Sequence, residues 1–296
     1  MTDRFAVLVL AHHQPRVLAA LLDSLRHPQI DVYVHVDAKS DLGPFLAAAP
    51  ERTGLTYLTN RREVSWGGLS MVYATLDLVS AARATGHRYR RFALHSGADL
   101  CIAPIDDVLE AWSGETEFMR IDWHLSGPRA ERAHVVGRRH FLEDSTPLRA
   151  RLSGRVPRRV DATIPLFQGS TWWALSPDAI DEVMRFLAEH PKWLRFHRHT
   201  LCADEVVFQS IVAASPLANR IAQHVDRVTD VASYLADPLH GLHYIDWSDP
   251  QSINPRGLTI ADEAGLRRSP AMFARKVDEQ SWDLIDAFRS PRPVTP

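Results

Sequence analysis

Two adjacent carboxylates, Asp204 and Glu205, stand at the start of a predicted helix in residues 202–210 (CADEVVFQS). One of them can cap this helix, because a helix N-terminus favours negative charge. The other is then free to take a proton from an incoming hydroxyl group, as general base catalysis requires. The pattern also allows an alternative in which both carboxylates only cap the helix.

Positive charge lies in two short segments near the C-terminus, at Arg256 in residues 255–257 and at Lys276 in residues 273–278 (FARKVD). Arg and Lys side chains that converge on a pyrophosphate can neutralise it. The ordinary alternative for such residues is solvated surface charge.

Asp99 lies in residues 95–100 (HSGADL), just beyond a predicted strand, where many nucleotide-sugar enzymes have an Asp-x-Asp metal motif. The chain contains no Asp-x-Asp sequence. A diphosphate leaving group would therefore depend on cationic side chains rather than on a divalent metal ion. The sequence accordingly predicts no metal site and no required cofactor.

Polar residues follow the first two predicted strands: His12 and His13 after residues 5–11, and Asp37 at the end of residues 30–37. A carboxylate at the end of a buried strand can accept hydrogen bonds from a ribose or a base. Capping of the next helix is the alternative role for Asp37. The two histidines are expected to point to opposite sides of the strand, so one of them can be an ordinary core residue.

Residues 65–70 (SWGGLS) place two glycines before a predicted helix. Glycine lets a backbone approach a ligand closely, and the first N–H groups of a helix have no partner within it. Trp66 beside the glycines could stack on a base. The alternative is a tight turn with a packed tryptophan, and the segment matches no established phosphate-binding motif.

Two rival functions are consistent with parts of the sequence. His197, His199 and Asp204 cluster around Cys202 and could bind zinc in a metal-dependent hydrolase. However, the His-x-His spacing suits a strand, and this segment is predicted to be a loop entering a helix. The second rival is a nucleotide- or glycan-binding module without turnover.

These residues need a scaffold, and the first part of the chain predicts an α/β sheet. Residues 5–11 are continuously apolar, as in a strand buried on both faces, and a helix with an apolar face starts at Pro15. With the strand at 30–37 this forms a βαβ unit, which makes the strands parallel. Further elements are predicted as strands at 55–58 and 91–95, a helix at 69–82 and another helix that starts with residues 108–112. Residues 1–112 are thus interpreted as an open twisted sheet, with ligands beyond the carboxyl ends of its strands.

The second part of the chain is less regular. Residues 120–159 are rich in Arg and His with weak periodicity, and are predicted to be mostly loop. The later elements are predicted as a strand with a glycine turn at 164–176, helices at 177–189 and 204–214, short pieces from His243 and a flexible tail at 291–296.

The composition excludes several classes of protein. Of 296 residues, 34 are Lys or Arg and 36 are Asp or Glu. The chain therefore has no net positive charge that would attract nucleic acid or an anionic membrane. Cys101 and Cys202 form no disulfide framework. The apolar run near the N-terminus has about eight residues, against roughly 20 needed to span a bilayer. Without a secretory signal, the expected location is the cytoplasm.

Seven segments, taken together and in order, resemble the core-2/I-branching β-1,6-N-acetylglucosaminyltransferase family, which includes the peptide O-xylosyltransferases. The segments are AHHQP, YVHVDAKSD, VSWGGLSMVYATL, HSGADLCI, GSTWWALS, ADEVVFQS and MFARKVD. The resemblance spans most of the chain and is specific through the order and spacing of the pieces. Animal members have a membrane anchor and many disulfide cysteines, so this chain resembles the short bacterial members.

The resemblance implies one GT-A-like catalytic domain at residues 1–290, with a Rossmann-like, twisted, mostly parallel sheet flanked by helices. Residues 1–112 would form the nucleotide-binding half and residues 113–290 the acceptor-binding and catalytic half. The implied reaction is metal-independent, inverting transfer of a sugar, GlcNAc or xylose, from a UDP-sugar to a hydroxyl of a glycan or another small molecule.

The resemblance also assigns roles to individual residues. Leu10 and Asp37 match uridine contacts, and Trp66 matches an aromatic residue beside the donor. Glu205 matches the catalytic base. Lys276 matches a lysine on the diphosphate, and Arg256, placed across a gap of a few residues, matches its partner arginine. Further substrate contacts are expected from His12, Asp99, Trp172 and Asp204.

Overall fold

The computed structural model describes residues 3–143, 146–160, 162–249 and 252–289, so the predicted tail at 291–296 lies outside the described residues. The strands are β1 (Arg4–Ala11), β2 (Ile30–Val36), β3 (Leu55–Tyr57), β4 (Tyr89–Ser96), β5 (Asp99–Cys101), β6 (Glu117–His124), β7 (Arg138–Arg139), β8 (Val156–Pro157), β9 (Phe167–Gly169), β10 (Ala174–Leu175), β11 (Ile221–His224), β12 (Leu239–His240), β13 (His243–Ile245) and β14 (Phe273–Arg275). The helices are α1 (Pro15–Ser24), α2 (Gly43–Ala48), α3 (Leu69–Ala84), α4 (Ile105–Ser113), α5 (His134–Gly137), α6 (Pro147–Leu152), α7 (Pro177–Glu189), α8 (Lys192–His197), α9 (Val207–Ala213), α10 (Val231–Ala236), α11 (Glu263–Arg268) and α12 (Trp282–Arg289). Single 3₁₀ turns occur at Ala203–Glu205, Ala218–Arg220, Val225–Arg227 and Ile260–Asp262.

The central sheet has the strand order β11-β6-β10-β4-β1-β2-β3, and β9 pairs with β6. Its strands are parallel along β4-β1-β2-β3 and at β11-β6, whereas β10 and β9 run antiparallel to their neighbours. Leu10 near the end of β1 lies opposite His35 of β2 and Ser96 of β4, so the carboxyl ends of these strands meet at one edge. The prediction of a mostly parallel α/β sheet is confirmed.

Strand β1 shows why this sheet is buried on both faces. Successive strand residues point to opposite faces. Ala6 and Leu8 therefore pack with the cluster that contains residues of α3, α7 and α9. Phe5, Val7 and Val9 pack with the cluster that contains residues of α1, α2 and α4. The continuous apolar run in the sequence reflects these two layers of helices.

A smaller sheet, β12-β13-β14-β5, joins the C-terminal region to the central sheet. Strand β14 pairs with β5 in an antiparallel register that sets Arg275 opposite Asp99. Because β5 comes directly after β4, this pairing brings the predicted basic segment at 273–278 to the carboxyl edge of the central sheet.

The prediction that residues 120–159 are mostly loop is wrong at its start, where β6 lies inside the central sheet. Arg120 in this strand is buried, and its guanidinium donates to Asp122 and to the carbonyls of Tyr234 and Leu239. A charged residue in a buried strand interrupts the apolar pattern by which such a strand is recognised in the sequence, even though its bonds allow it to be buried. The sheet therefore extends beyond residue 112, through β6, β9, β10 and β11.

The predicted helix at 204–214 is also divided in the structure. It begins as the 3₁₀ turn Ala203–Glu205 and continues as α9 only from Val207. None of the helices in the described parts of the chain is both long and apolar enough to cross a bilayer.

Candidate active site

The carboxylates of Asp204 and Glu205 are held by side chains from the neighbouring β9 region. Gln168 of β9 donates its amide Nε2 to Glu205 Oε2 at 2.6 Å. The hydroxyl of Thr171 donates to Asp204 Oδ2 at 2.7 Å. Neither the 3₁₀ turn nor α9 has a side-chain cap, so the prediction that one carboxylate caps the helix and the alternative that both do are both wrong. Sequence reasoning did not single out Gln168 or Thr171, although both lie in or beside the GSTWWALS segment.

The electrostatic environment of this pair favours a strong base. Burial raises the pKa of Glu205, and the neighbouring negative charge of Asp204 raises it further, while the bond from Gln168 opposes the shift. Burial also raises the pKa of Asp204. A carboxylate with a raised pKa binds a proton more strongly than a solvated one, as proton removal from a hydroxyl requires.

Asp99 is the centre of a buried polar cluster. It is 1% exposed, and its Oδ2 accepts a hydrogen bond from His243 at 3.1 Å and lies 3.2 Å from Nδ1 of His95. Its Oδ1 lies 3.2 Å from Nε of Arg275, whose guanidinium stacks 4.2 Å from the centre of the buried Trp172 ring. Asp99 and Trp172 thus hold Arg275, and a direct substrate contact by either residue has no support in this arrangement.

The ligand atoms of His95, Asp99 and His243 lie within 4.8 Å of one another, a spacing that could hold a metal ion. The guanidinium of Arg275 already supplies a positive charge to Asp99. We therefore interpret the three residues as a hydrogen-bonded cluster that orients Arg275.

The structure contradicts the zinc alternative. Nδ1 of His197 lies 3.0 Å from the hydroxyl of Thr200, and His199 bonds to a backbone carbonyl. Asp204 instead bonds to Thr171. Within the described ranges of the chain, these three predicted ligands form no group that could hold a metal ion.

Asp37 and Leu10 lie where the strands β1, β2 and β4 end. The buried Asp37 accepts the backbone N–H of Lys39 at 2.9 Å, and the next helix, α2, has Leu42 at its N-cap instead. The helix-capping alternative for Asp37 is therefore wrong. The carbonyl of Leu10 accepts the N–H of Gly97 at 2.8 Å, which ties β1 to the turn after β4.

His12 and His13 follow the end of β1, and both are exposed. Their rings stack with centroids 4.0 Å apart, so the prediction that they point to opposite sides is wrong. The reason is that both residues lie beyond the regular strand, where side chains no longer alternate. Local desolvation lowers the pKa of His12, and the nearby charges of His13 and Lys276 lower it further.

Trp66 lies in a loop joined to the Glu205 segment. Gly67 has a φ of +67°, and Cys202 packs closely against it. A Cβ atom at position 67 would lie 3.2 Å from Sγ of Cys202. The carbonyl of Gly67 accepts the N–H of Ala203 at 3.1 Å. Trp66 itself is 58% exposed, so the packed-tryptophan alternative is wrong and its ring is open to a ligand.

The first turn of α3, after this loop, is only partly open to a ligand. The N–H of Ser70 donates to the side chain of Glu143 at 2.7 Å. One of the backbone donors that the SWGGLS pattern offered is therefore already used within the protein.

The two predicted diphosphate cations differ in their surroundings. Lys276 is half-buried near His12, and in the parts of the chain that are described no carboxylate pairs with its ammonium group. Arg256 instead forms ion pairs with Asp246 at 2.6 Å and Asp262 at 2.7 Å. Lys276 is therefore available for an anion in this structure, whereas the charge of Arg256 is already neutralised.

A cavity of about 600 Å³ lies at the ends of β6 and β9. Its walls include His124 of β6, Phe167 of β9, Arg129 and Ile164. In the pairing of β6 with β9, Trp123 lies opposite Gln168, whose side chain bonds to Glu205. The next pair along the two strands is His124 with Phe167. The cavity combines apolar walls with a few polar groups, and neither Asp204 nor Glu205 is among the residues that line it.

Comparison with known proteins places this geometry in a family. The sequence model of the Core-2/I-Branching enzyme family matches residues 5–267. Beta-glucuronosyltransferase GlcAT14B of Arabidopsis thaliana is 24% identical over 95% of this chain and 65% of its own length. Xylosyltransferase 1 of Rattus norvegicus is 23% identical over 95% of this chain and 35% of its own length. This chain thus spans between one third and two thirds of those proteins. The mainly parallel sheet flanked by helices agrees with the GT-A-like fold predicted for it, and the chain belongs to the core-2/I-branching enzyme family.

Proposed function

We propose that this protein is a metal-independent, inverting glycosyltransferase that moves a sugar from a UDP-sugar to an acceptor hydroxyl. The observation that carries the proposal is the position of the segment Arg275–Lys276. The N–H of Val277 donates to the carbonyl of Ala98 at 3.0 Å, and Nε of Arg275 lies 3.2 Å from Oδ1 of Asp99, so this segment is held at the turn between β4 and β5. Glu205 and His12 both lie within electrostatic range of it. One short segment therefore links the candidate base to the strand ends where a nucleotide would bind.

The proposed reaction is a single displacement. The acceptor oxygen attacks the anomeric carbon while the bond from that carbon to the β-phosphate oxygen of UDP breaks. The hydroxyl proton passes to Glu205, and the electron pair of the broken bond leaves with UDP. Lys276 stabilises the developing negative charge. Arg256 adds to this only if the donor displaces Asp246 or Asp262 from its guanidinium.

The remaining predicted contacts define two sides of the proposed site. Uridine would lie at Leu10 and Asp37 with Trp66 over it, and the diphosphate would reach Lys276. The cavity beside His124 and Phe167 is the proposed acceptor compartment, because Phe167 in its wall directly precedes Gln168, the hydrogen-bond partner of Glu205. Its apolar walls with few polar groups are typical of small-molecule sites.

The sugar of the donor is best identified by a ligand panel. UDP-GlcNAc and UDP-xylose follow from the sequence resemblance, and the similarity to a beta-glucuronosyltransferase adds UDP-glucuronate. At a hundredfold excess over the dissociation constant, a ligand stabilises the folded state by about 2.7 kcal/mol. For a chain of this size that corresponds to an increase in the unfolding temperature of roughly 4 °C.

We expect UDP and one UDP-sugar to give such a shift, and the same UDP-sugar to be turned over with an acceptor. ADP-glucose is the matched control and should give no shift. Absence of a shift with every UDP-sugar would contradict the proposal. A shift without any sugar transfer or donor hydrolysis would instead favour the non-catalytic binding module.

The raised pKa of Glu205 predicts a characteristic pH profile. The base must be ionised, so kcat/KM should rise with pH through an apparent pKa above the ordinary glutamate value of 4.5. Asp204→Asn removes the neighbouring negative charge while its amide oxygen can still accept from Thr171. The acid limb should therefore move to lower pH in this variant. An apparent pKa at the ordinary glutamate value would argue against Glu205 as the base. So would an apparent pKa that is the same in Asp204→Asn as in the parent.

A further inference from the structure

One segment of the protein combines exposed apolar side chains with positive charge. We call residues 138–143 and 146–157 the arginine-rich hairpin: β7 and β8 pair with each other, and α6 lies between them. Helix α6 contributes no buried residue to the core. Leu148 is 67% exposed and Leu152 is 39% exposed. Residues at positions i and i+4 share one helix face, so the two leucines form a small apolar ridge in solvent.

The charge around this ridge is strongly positive, although the whole chain is nearly neutral. Residues 129–159 contain nine arginines and three carboxylates. The exposed arginines of this stretch that have no carboxylate partner in the described residues are Arg138, Arg139, Arg151, Arg155 and Arg159. Where these side chains make hydrogen bonds, they donate to backbone carbonyls, as Arg138 does to Gly154 at 3.0 Å. Their charges are therefore available for an external anion.

The hairpin is fixed to the body of the protein rather than detached from it. The half-buried Arg158, directly after β8, donates to the carbonyls of Val136 and Phe196 and to the hydroxyl of Thr200. The N–H of His140 donates to the carbonyl of His199 at 3.0 Å. These bonds present the leucine ridge and the arginines in a defined orientation.

We propose that the arginine-rich hairpin docks on the surface of a lipid bilayer that contains anionic lipids. Leu148 and Leu152 would enter the boundary between headgroups and acyl chains, and the arginines would contact lipid phosphates. Amphipathic surface helices bind bilayers by this combination of buried apolar area and attraction to anionic headgroups. A soluble polyanion, such as an acidic polysaccharide, would use the arginines but leave both leucines in water. The exposed leucine pair therefore favours the bilayer.

Vesicle flotation with the full chain tests the proposal. We expect the protein to float with vesicles of phosphatidylcholine mixed with phosphatidylglycerol, to stay behind with pure phosphatidylcholine, and to bind more weakly at high salt. Leu148→Ser combined with Leu152→Ser should weaken the partition by roughly tenfold or more, because it removes the inserted apolar groups. Arg138→Glu with Arg151→Glu and Arg155→Glu should weaken it by at least about tenfold.

Two matched controls separate the hairpin from general surface properties. Ile253→Ser with Ile260→Ser alters exposed apolar residues elsewhere, and Arg26→Glu with Arg88→Glu reverses charges that precede β2 and β4. Both controls should bind as the parent does. No flotation with anionic vesicles, or flotation that survives in both hairpin variants, would overturn the proposal. Loss in the arginine variant with full binding in the leucine variant would also overturn it, in favour of a soluble polyanion.

Discussion

Glu205→Gln is expected to lower kcat by about 10²–10⁴-fold, the contribution of a positioned general base. The amide has nearly the same shape as the carboxylate, and its oxygen can still accept the bond from Gln168. What is lost is the ability to take the hydroxyl proton. The measurement is steady-state transfer with the UDP-sugar identified by the ligand panel.

The same variant should be at least as stable as the parent at neutral pH. The pKa of Glu205 in the folded state is raised above the value of an ordinary glutamate. The unfolded chain is therefore ionised over a pH range in which the folded protein still holds the proton, and folding free energy is lost progressively as the pH rises from 4.5 to the folded-state pKa of about 8. Glutamine has no such cost, so its advantage should disappear below the ordinary glutamate pKa of 4.5.

Glu131→Gln is the matched control for this experiment, because Glu131 is an exposed glutamate. It should leave both kcat and thermal stability unchanged. If Glu205→Gln kept kcat within a few-fold of the parent, another group would have to remove the proton. A large loss of thermal stability in Glu205→Gln would instead mean that the charge of Glu205 stabilises the fold.

Lys276→Met is expected to lower kcat by about 10²–10³-fold, as for the loss of one preorganised partner of developing charge. Methionine keeps the length and apolar stem of lysine and removes only the ammonium group. Because we propose that this cation replaces a metal ion, excess EDTA should leave the parent enzyme fully active. Both effects are measured in the same transfer assay.

Lys192→Met is the control for charge removal, since Lys192 is an exposed residue of α8. It should transfer sugar at the parental rate. Complete inactivation of the parent by EDTA, reversed by added divalent ions, would show that a metal stabilises UDP. Parental kcat in Lys276→Met would show that the leaving group depends on other residues, with Arg256 the next to examine.

Long apolar patterns made much of the fold predictable. The run in β1 and the amphipathic pattern of α7 are strong because burial on one or both faces dictates every residue of the element. The helix predicted at 177–189 has these same bounds in the structure. Strand β6 was missed because Arg120 and Asp122 interrupt its apolar pattern, and their bonds to distant carbonyls and to each other cannot be read from local spacing.

In the candidate site, too, short sequence motifs could be recognised, whereas contacts between residues far apart in the sequence could not. Glu205, Asp37 and Lys276 belong to short motifs, so sequence could nominate them. Gln168 could not be assigned a role because its contact with Glu205 joins residues 37 positions apart. The partners of Arg256 likewise depend on a loop conformation that brings two carboxylates together around one guanidinium.

The pairing of β14 with β5 has a consequence for where the functional unit ends. The family match stops at residue 267, yet the counter-ion of Asp99 comes from Arg275. A version of the protein trimmed to the matched stretch would leave this carboxylate in the interior without its positive partner, a defect that typically costs about 3–5 kcal/mol. The smallest piece able to fold and act must therefore include the last strand, β14.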